Sequence, residues 1–286
     1  MKNYIIIDAS YFILYRYHAL KAWWGFSNQE EELGEFPHKN INFMNKFTQT
    51  FGEKLNEMIK KFKINHKDQS NKIYYIIAKD CPRKNIWRND IYDLYKSNRE
   101  KRDESITFIF NYVFENYLFM IKNKYIYDIK IVDFERLEAD DCVSLISRNI
   151  NKKYENKLGE YMIYIIASDI DYLQICSNNT NLYNLKYNKI NNNDSNETST
   201  NSEFELFIKI VIGDKSDNIT GIFNKCGKKT ALKYYNDKDV FERKLNESEI
   251  YKTTYERNKT LIDFNCIPKI YSDGFNKKYF DFLSSL

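Results

Sequence analysis

Short apolar runs, most of them closed by acids, recur along this chain. They read YIIID to Asp8, IYYIIAKD to Asp80, IYIIASDID to Asp169 and Asp171, and IVIGDKSD to Asp214 and Asp217. Runs of this length, rich in Ile and Tyr, predict buried strands at Tyr4–Ile7, Ile73–Ala78, Ile126–Val132 and Tyr161–Ala167. Between them the apolar spacing changes to three and four. Phe43, Phe47, Phe51, Leu55, Met58, Ile59 and Phe62 predict a helix over Ile41–Phe62, and similar patterns cover Ala9–Ala22, Ile106–Ile121 and Glu138–Ile150. Residues 25–40, with Gly25, Gly34 and Pro37, read as a loop, and Asn188–Ser202 reads as a polar loop or insertion. Phe204–Leu286 reads as mostly helical, a second lobe.

Alternating strands and helices predict an α/β domain around a largely parallel sheet. Ligand sites of such sheets lie outside the carboxyl ends of the strands. Asp8, Asp80 and Asp169 fall at those ends. Nine acids gather in this way: Asp8, Asp80, Glu138, Asp140, Asp141, Asp169, Asp171, Asp214 and Asp217. Carboxylates beside buried strands are costly unless something positive meets them, so a shared pool of them points to bound cations.

Composition narrows the class. The chain has 286 residues, of which 43% are hydrophobic and 29% charged, enough for one large domain or a domain with an appendage. No apolar run reaches the roughly 18 residues needed to span a bilayer, and Met1-Lys2-Asn3 leads straight into a strand without a targeting pattern. A soluble cytoplasmic protein with no membrane partner is expected. The cysteines (Cys81, Cys142, Cys176, Cys226, Cys266) form no C-x-x-C pair, and His18, His38 and His66 are the only histidines. A disulfide framework and a zinc site are both disfavoured. The net charge is +4, with basic stretches at 83–102 and 215–233 on either side of the central acids. That layout suits a polyanion bound through metals, though solvated helix faces also produce charge runs.

Each motif has a plainer alternative. In Glu138-Ala139-Asp140-Asp141, Glu138 and Asp141 share a helix face, yet acids also favour helix N-termini. Asp169-x-Asp171 after a strand suits metal binding, or the aspartyl nucleophile of a haloacid dehalogenase-type phosphatase, although Tyr172 departs from that motif. Gly221 to Thr230 places glycine turns and lysines before a helix, a phosphate-holding arrangement. It is not a Walker A loop, because Lys229 stands where Ser or Thr is needed. Lys96 and Arg99, three apart on an expected helix beside Tyr95, could clamp a phosphate, or simply face solvent.

Taken in order, IIIDAS, Asp80, WRNDIYDLYKSNR, LEADD, ASDID and GDKSDNITGI followed by NKCGKKTA resemble the flap endonuclease and 5′-3′ exonuclease family, in its bacterial and phage branch. The resemblance covers nearly the whole chain. It implies a PIN-like core over 1–187 with a helical arch at about 84–122, the polar loop 188–202, and a helix–hairpin–helix lobe over 203–286. It implies two Mg2+ (or Mn2+) ions, the first held by Asp8, Asp80, Glu138 and Asp140, the second by Asp141, Asp169, Asp171, Asp214 and Asp217. Lys96 and Arg99 would serve as phosphate-steering catalytic cations, and Tyr95 as a stacking residue. Arg83 and Arg88 would approach the substrate. Lys215, Gly221, Lys225, Gly227, Lys228, Lys229 and Thr230 would form the DNA-binding hairpin, with K+ as a further ion. Expected partners are DNA with 5′ flaps or ends, RNA–DNA hybrids and replication proteins, met by a monomer. Lys79, before Asp80, departs from the aromatic or aliphatic residue usual there, and the resemblance does not place segment 22–50, with Trp23 and Trp24. The terminal Tyr279–Leu283 reads as a core helix rather than a sliding-clamp tail. A haloacid dehalogenase-type phosphatase and a non-catalytic DNA-junction binding module are the competing readings.

Overall fold

The acid-closed runs are strands of one sheet in the computed structural model, which describes residues 1–27, 32–65, 71–122, 128–155, 157, 159–190 and 202–286. The strands are β1 (Lys2–Asp8), β2 (Lys72–Ala78), β3 (Asp128–Val132), β4 (Tyr161–Ile166) and β5 (Thr180–Tyr183). They are hydrogen-bonded in the order β3-β2-β1-β4-β5, and every pairing is parallel. Burial on both faces explains the unbroken apolar run of β1, in which Tyr4 to Ile7 are wholly buried. The register sets Ile7 beside Ile77 and Ile166, so the chain leaves β1, β2 and β4 along one edge.

Alternation along β1 builds two layers. Ile5 and Ile7 face α1 (Ala9–Ser27), α2 (Ile41–Lys61), α3 (Glu104–Tyr112) and α4 (Leu118–Lys122), the last two joined by a π turn at Val113–Tyr117. Tyr4 and Ile6 face α5 (Ala139–Lys153). The expected polar loop lies almost wholly outside the described residues. Beyond it come α6 (Ser202–Ile212), α7 (Lys228–Asn236), α8 (Lys238–Leu245) and α9 (Glu249–Ile262). These pack on a third core containing Val211, Phe223, Phe241 and Leu261, which also takes in Cys81, Ile86 and Tyr95. The lobe is therefore joined to the basic stretch by apolar contact.

The last helices, α10 (Lys269–Lys278) and α11 (Phe280–Ser285), return to the sheet. Phe275 and Tyr279 bury there beside α5, with Phe282 and Leu283 packed against them. The terminal segment is thus a core element, as its pattern predicts, and the third core belongs to α6 through α9.

Three expectations are revised. The helix α1 continues past Ala22 to Ser27. The short β5 is added to the sheet. Residues 91–99 are not helical: they run as turns after two 3-10 turns (Arg83–Asn85 and Trp87–Asp90), and Lys96 has φ +52°. Within the stretch 84–122, α3, the π turn and α4 lay Ile109, Val113, Tyr117, Leu118 and Ile121 on the first core layer. Among the described residues no helix is long and apolar enough to cross a membrane.

Candidate metal centre and nucleic-acid interface

The shared edge of β1 and β2 places the first carboxylates. Asp8 accepts hydrogen bonds from the Tyr11 amide at 3.0 Å and the Tyr172 hydroxyl at 2.9 Å. Burial, followed by the nearby Asp80, pushes Asp8 up to about 6 despite those donors. Asp80 is oriented by the Ala139 amide at 2.9 Å and by the Ser10 hydroxyl.

The start of α5 contributes the next three acids. Glu138 and Asp141 form a capping box, in which the Glu138 amide donates to Asp141 at 3.1 Å. Glu138, Asp140 and Asp141 each offer an oxygen within 4.8 Å of the others. They differ sharply in charge balance. Burial, then Asp141 and Glu138, hold the Asp140 carboxyl well above its ordinary range. Glu138 is buried too, but Lys96 and Arg88 outweigh that burial and lower it. Asp141 is fully buried and saturated. Arg88 donates to both its oxygens at 2.8 Å, and the Trp87 indole adds a bond of 3.0 Å.

A second group forms where the turn after β4 meets α6. Lys209 reaches Asp171 at 2.6 Å and Asp214 at 2.8 Å, with Asp169 at 4.0 Å. Burial and then Asp169 push Asp171 up to about 7, against the pull of Lys209. Asp214 is lowered: burial works against it, but Lys209 and Ser216 prevail. Lys209 was not singled out from sequence. Its only signal there is that it is the lone cation in the apolar run FELFIKIVI, just before the Gly213-Asp214 motif. Asp217 lies on the Glu138 side, where Arg99 meets it at 2.5 Å and Lys96 at 3.6 Å.

Lys96 and Arg99 therefore enter the carboxylate group, although from a turn. The Lys96 amide is fixed to the Asp217 carbonyl at 2.9 Å, and its ammonium bonds Glu138. Two expectations need correction. Arg88 does not face a substrate: it is 2% exposed, and besides its acid partners it donates to the Leu261 carbonyl at 2.7 Å. Tyr95 is also buried, and its hydroxyl bonds Glu138 at 2.9 Å and Asp217 at 3.3 Å, so its ring is not free to stack on a base. In both cases the acids of α5 capture a polar side chain that the basic stretch seemed to offer to solvent. Arg83 is exposed and bonds the Arg99 and Glu100 carbonyls.

The hairpin stands between α6 and α7. Asp214 and Ile219 exchange backbone hydrogen bonds of 2.9 and 2.7 Å. The tight crossing demands glycines: Gly213 has φ +85° and a Cβ there would fall 2.3 Å from the Ile219 carbonyl, while one on Gly221 would fall 2.6 Å from the Ile212 carbonyl. Asn258 of α9 clamps the crossing through the Ile210 and Thr220 carbonyls at 2.9 and 2.8 Å. Gly227 caps α7, whose first turn holds Lys228, Lys229 and Thr230. Lys215, Lys225, Lys228 and Lys229 are exposed. Among the described residues none of these lysines pairs with the nine acids, and Lys228 pairs with Glu205 instead.

The donor set fits hard divalent cations. It is made of carboxylate oxygens, and burial first, then neighbouring carboxylates, shifts Asp8, Asp140 and Asp171 upward, a strain that an added cation would relieve.

Residues 3–205 match the family model described as the 5′-3′ exonuclease, N-terminal resolvase-like domain. The chain is 30% identical to a 5′-3′ exonuclease of Buchnera aphidicola (subspecies Schizaphis graminum) over 246 residues, 84% of this chain and 73% of that protein. It is 27% identical to a ribonuclease H of Enterobacteria phage T4 over 218 residues, 68% of this chain and 65% of that one. Among solved structures, a bacteriophage T5 flap endonuclease in a pseudo-enzyme-product complex with DNA and metal ions aligns with TM-score 0.62 at 15% identity, covering 99% of both chains. At that identity the likeness establishes the fold.

Proposed function

The chain belongs to the 5′-3′ exonuclease family, and we propose that it hydrolyses DNA at 5′ ends and 5′ flaps with divalent ions held between its two carboxylate groups. Its activity is that of a metal-dependent nuclease. The observation that carries the finer reading is the convergence of buried, under-neutralised acids on the carboxyl edge of the parallel sheet. Asp8, Asp80, Glu138 and Asp140 would hold one ion, and Asp169, Asp171 and Asp214 the other, while Asp217, on the Glu138 side, is taken up by Lys96 and Arg99. Asp141, beside Glu138 and Asp140, acts as the counter-ion of Arg88. Mg2+ is the favoured ion for such ligands, with Mn2+ a substitute. When bound, the ions would lower the pKa of a coordinated water and offset charge on the leaving oxygen.

The chain's own side chains do the rest. Tyr172 and the Tyr11 amide fix Asp8, while Ser10 and the Ala139 amide fix Asp80. Lys96 and Arg99, tethered by Glu138 and Asp217, offset charge on the scissile phosphate. Lys215, Gly221, Lys225, Gly227, Lys228, Lys229 and Thr230 would hold the duplex backbone, and K+ would be a further ion at this hairpin. Arg83 adds an exposed cation near Arg99.

Incubating labelled flapped, nicked, blunt and RNA–DNA hybrid substrates side by side with Mg2+ tests the reading. Cleavage of the 5′ flap in preference to the blunt duplex supports it, and equal cleavage of all four contradicts it. The relationship to a ribonuclease H makes RNA-primed DNA the second substrate to rank.

A further inference from the structure

Lys96 carries its charge on a strained backbone. Its φ of +52° lies in the left-handed region, which a residue with a Cβ leaves readily unless its surroundings over-determine it. The clamp comes from a loop on the C-terminal lobe, and each residue of 215–218 in that loop binds the turn around Lys96. The Asn98 carboxamide donates to the Lys215 carbonyl at 2.9 Å, and the Arg99 Nε donates to the Ser216 carbonyl at 3.3 Å. The Lys96 amide donates to the Asp217 carbonyl at 2.9 Å. Asn218 completes the set with its side chain: Nδ2 donates to the Leu94 carbonyl and to the Ser97 hydroxyl, both at 2.9 Å. A carbonyl can only accept, so the donor end of the carboxamide must face the turn.

These contacts bracket Lys96. Asn218 pins Leu94 before it and Ser97 after it, and the Ser97 amide closes the turn on the same Leu94 carbonyl at 3.1 Å. The residue type suits the place, because Asn218 itself has φ +59°, a conformation that asparagine tolerates better than most residues. With the turn held, the Lys96 side chain runs inward, 8% exposed, to Glu138 and Asp217. Resting on the nuclease reading, in which Lys96 offsets charge on the scissile phosphate, we propose that Asn218 is a positioning residue that latches the turn 94–97 and so aims Lys96 into the carboxylate centre. Asn218 acts through Lys96 rather than on the substrate. The loop that carries it leads into the lysine hairpin, so the aim of the cation is tied to the lobe that holds the duplex. The plainer roles are a direct grip on DNA, which would weaken binding, and general support of the lobe, which would lower stability without regard to Lys96.

A double-mutant cycle separates these roles. N218G keeps the left-handed backbone and removes the latch. Single-turnover cleavage of a 5′-flapped duplex with Mg2+, at saturating protein, is measured for wild type, N218G, K96M and N218G/K96M, beside duplex affinity in Ca2+ and thermal melts. N218G should cleave about ten-fold more slowly, the factor by which an unlatched residue favours leaving the left-handed region. Its affinity should stay within about two-fold of wild type, so that the loss falls on the chemical step. In the K96M background the same change should add less than about two-fold, because the latch has no cation left to aim. A wild-type rate in N218G, a loss confined to affinity, or losses that multiply in the double variant would each overturn the inference. Should N218G melt early, S97A takes its place in the cycle: it removes one acceptor from an exposed position and is judged by the same non-additivity. A wild-type rate in K96M would overturn the role of Lys96 itself, and wild-type protein that leaves the flap uncut would overturn the nuclease reading.

Discussion

Arg88 meets Asp141 through two parallel hydrogen bonds of 2.8 Å, one to each oxygen, with both side chains withdrawn from solvent. The same guanidinium bonds Glu138 at 2.9 Å and the Leu261 carbonyl of α9 at 2.7 Å. One side chain thus joins the acids of α5 to the C-terminal lobe. Removing one partner of a buried pair leaves an uncompensated charge, which costs about 3–5 kcal/mol. Urea denaturation of R88M should show a loss of that size, and R88M/D141L should recover much of it. Equal instability of the single and double variants would contradict the pairing.

Asp141 also differs in function from its neighbour. Its oxygens are occupied, whereas Asp140 is under-neutralised. In a Mn2+ titration of the intact protein, D140N should lose at least about ten-fold in affinity. D141N should lose less, provided it remains folded. The reverse order would make Asp141 the ligand.

Lys209 stands where cations are wanted, between Asp171 and Asp214. It lowers both carboxyls. Replacing it by Met removes that pull, so Asp171, already near 7, should titrate higher. The rising limb of the pH–rate profile with Mg2+ should move to higher pH in K209M. A limb that stays in place or moves down would remove Lys209 from the centre.

Stability should fall as pH rises in the absence of divalent ions. Asp8 and Asp171 have folded values of about 6 and 7, raised from 3.8. Between their unfolded and folded values the native state binds more protons than the unfolded chain, so its stability declines as pH rises through the window. Glu138 and Asp214 are lowered, so their contribution is lost only below about pH 4.5, beneath the pH 5 to 8 range in which the melts are compared. With EDTA, the melting temperature should drop by several degrees between pH 5 and pH 8. Excess Mg2+ at pH 8 should restore it. A melting temperature that rises with pH in EDTA would contradict the account.

The hairpin glycines are not equivalent. At Gly213 a side chain meets both a positive φ and a backbone oxygen, while around Gly227 a Cβ would meet nothing within 4 Å. G213A should therefore cost about 2 kcal/mol or more, and G227A less than about 1. Thermal melts of the two variants, read beside duplex affinity, check the order.

Much of this was legible in sequence for a physical reason. A strand buried on both faces must be apolar without interruption, so β1, β2 and β4 and the acids that close them could be read directly. The strand β5 was missed because four residues, two of them polar, carry too little pattern. The fate of charged residues was less legible. Arg88 and Tyr95 sit in a basic stretch that reads as surface, and only the folded position of Glu138 and Asp141 draws them inward. Lys209 reads as the wet side of α6, although its ammonium ends among acids from a distant strand. The turn at Lys96 depends on a positive φ that helix spacing cannot reveal.

The most direct test of the account is single-turnover cleavage of a 5′-flapped duplex with Mg2+ by D140N and D169N, beside their affinity for the same DNA in Ca2+. The account expects at least about a hundred-fold slower cleavage in each variant, with binding of the duplex retained. Wild-type cleavage rates in both variants would contradict it.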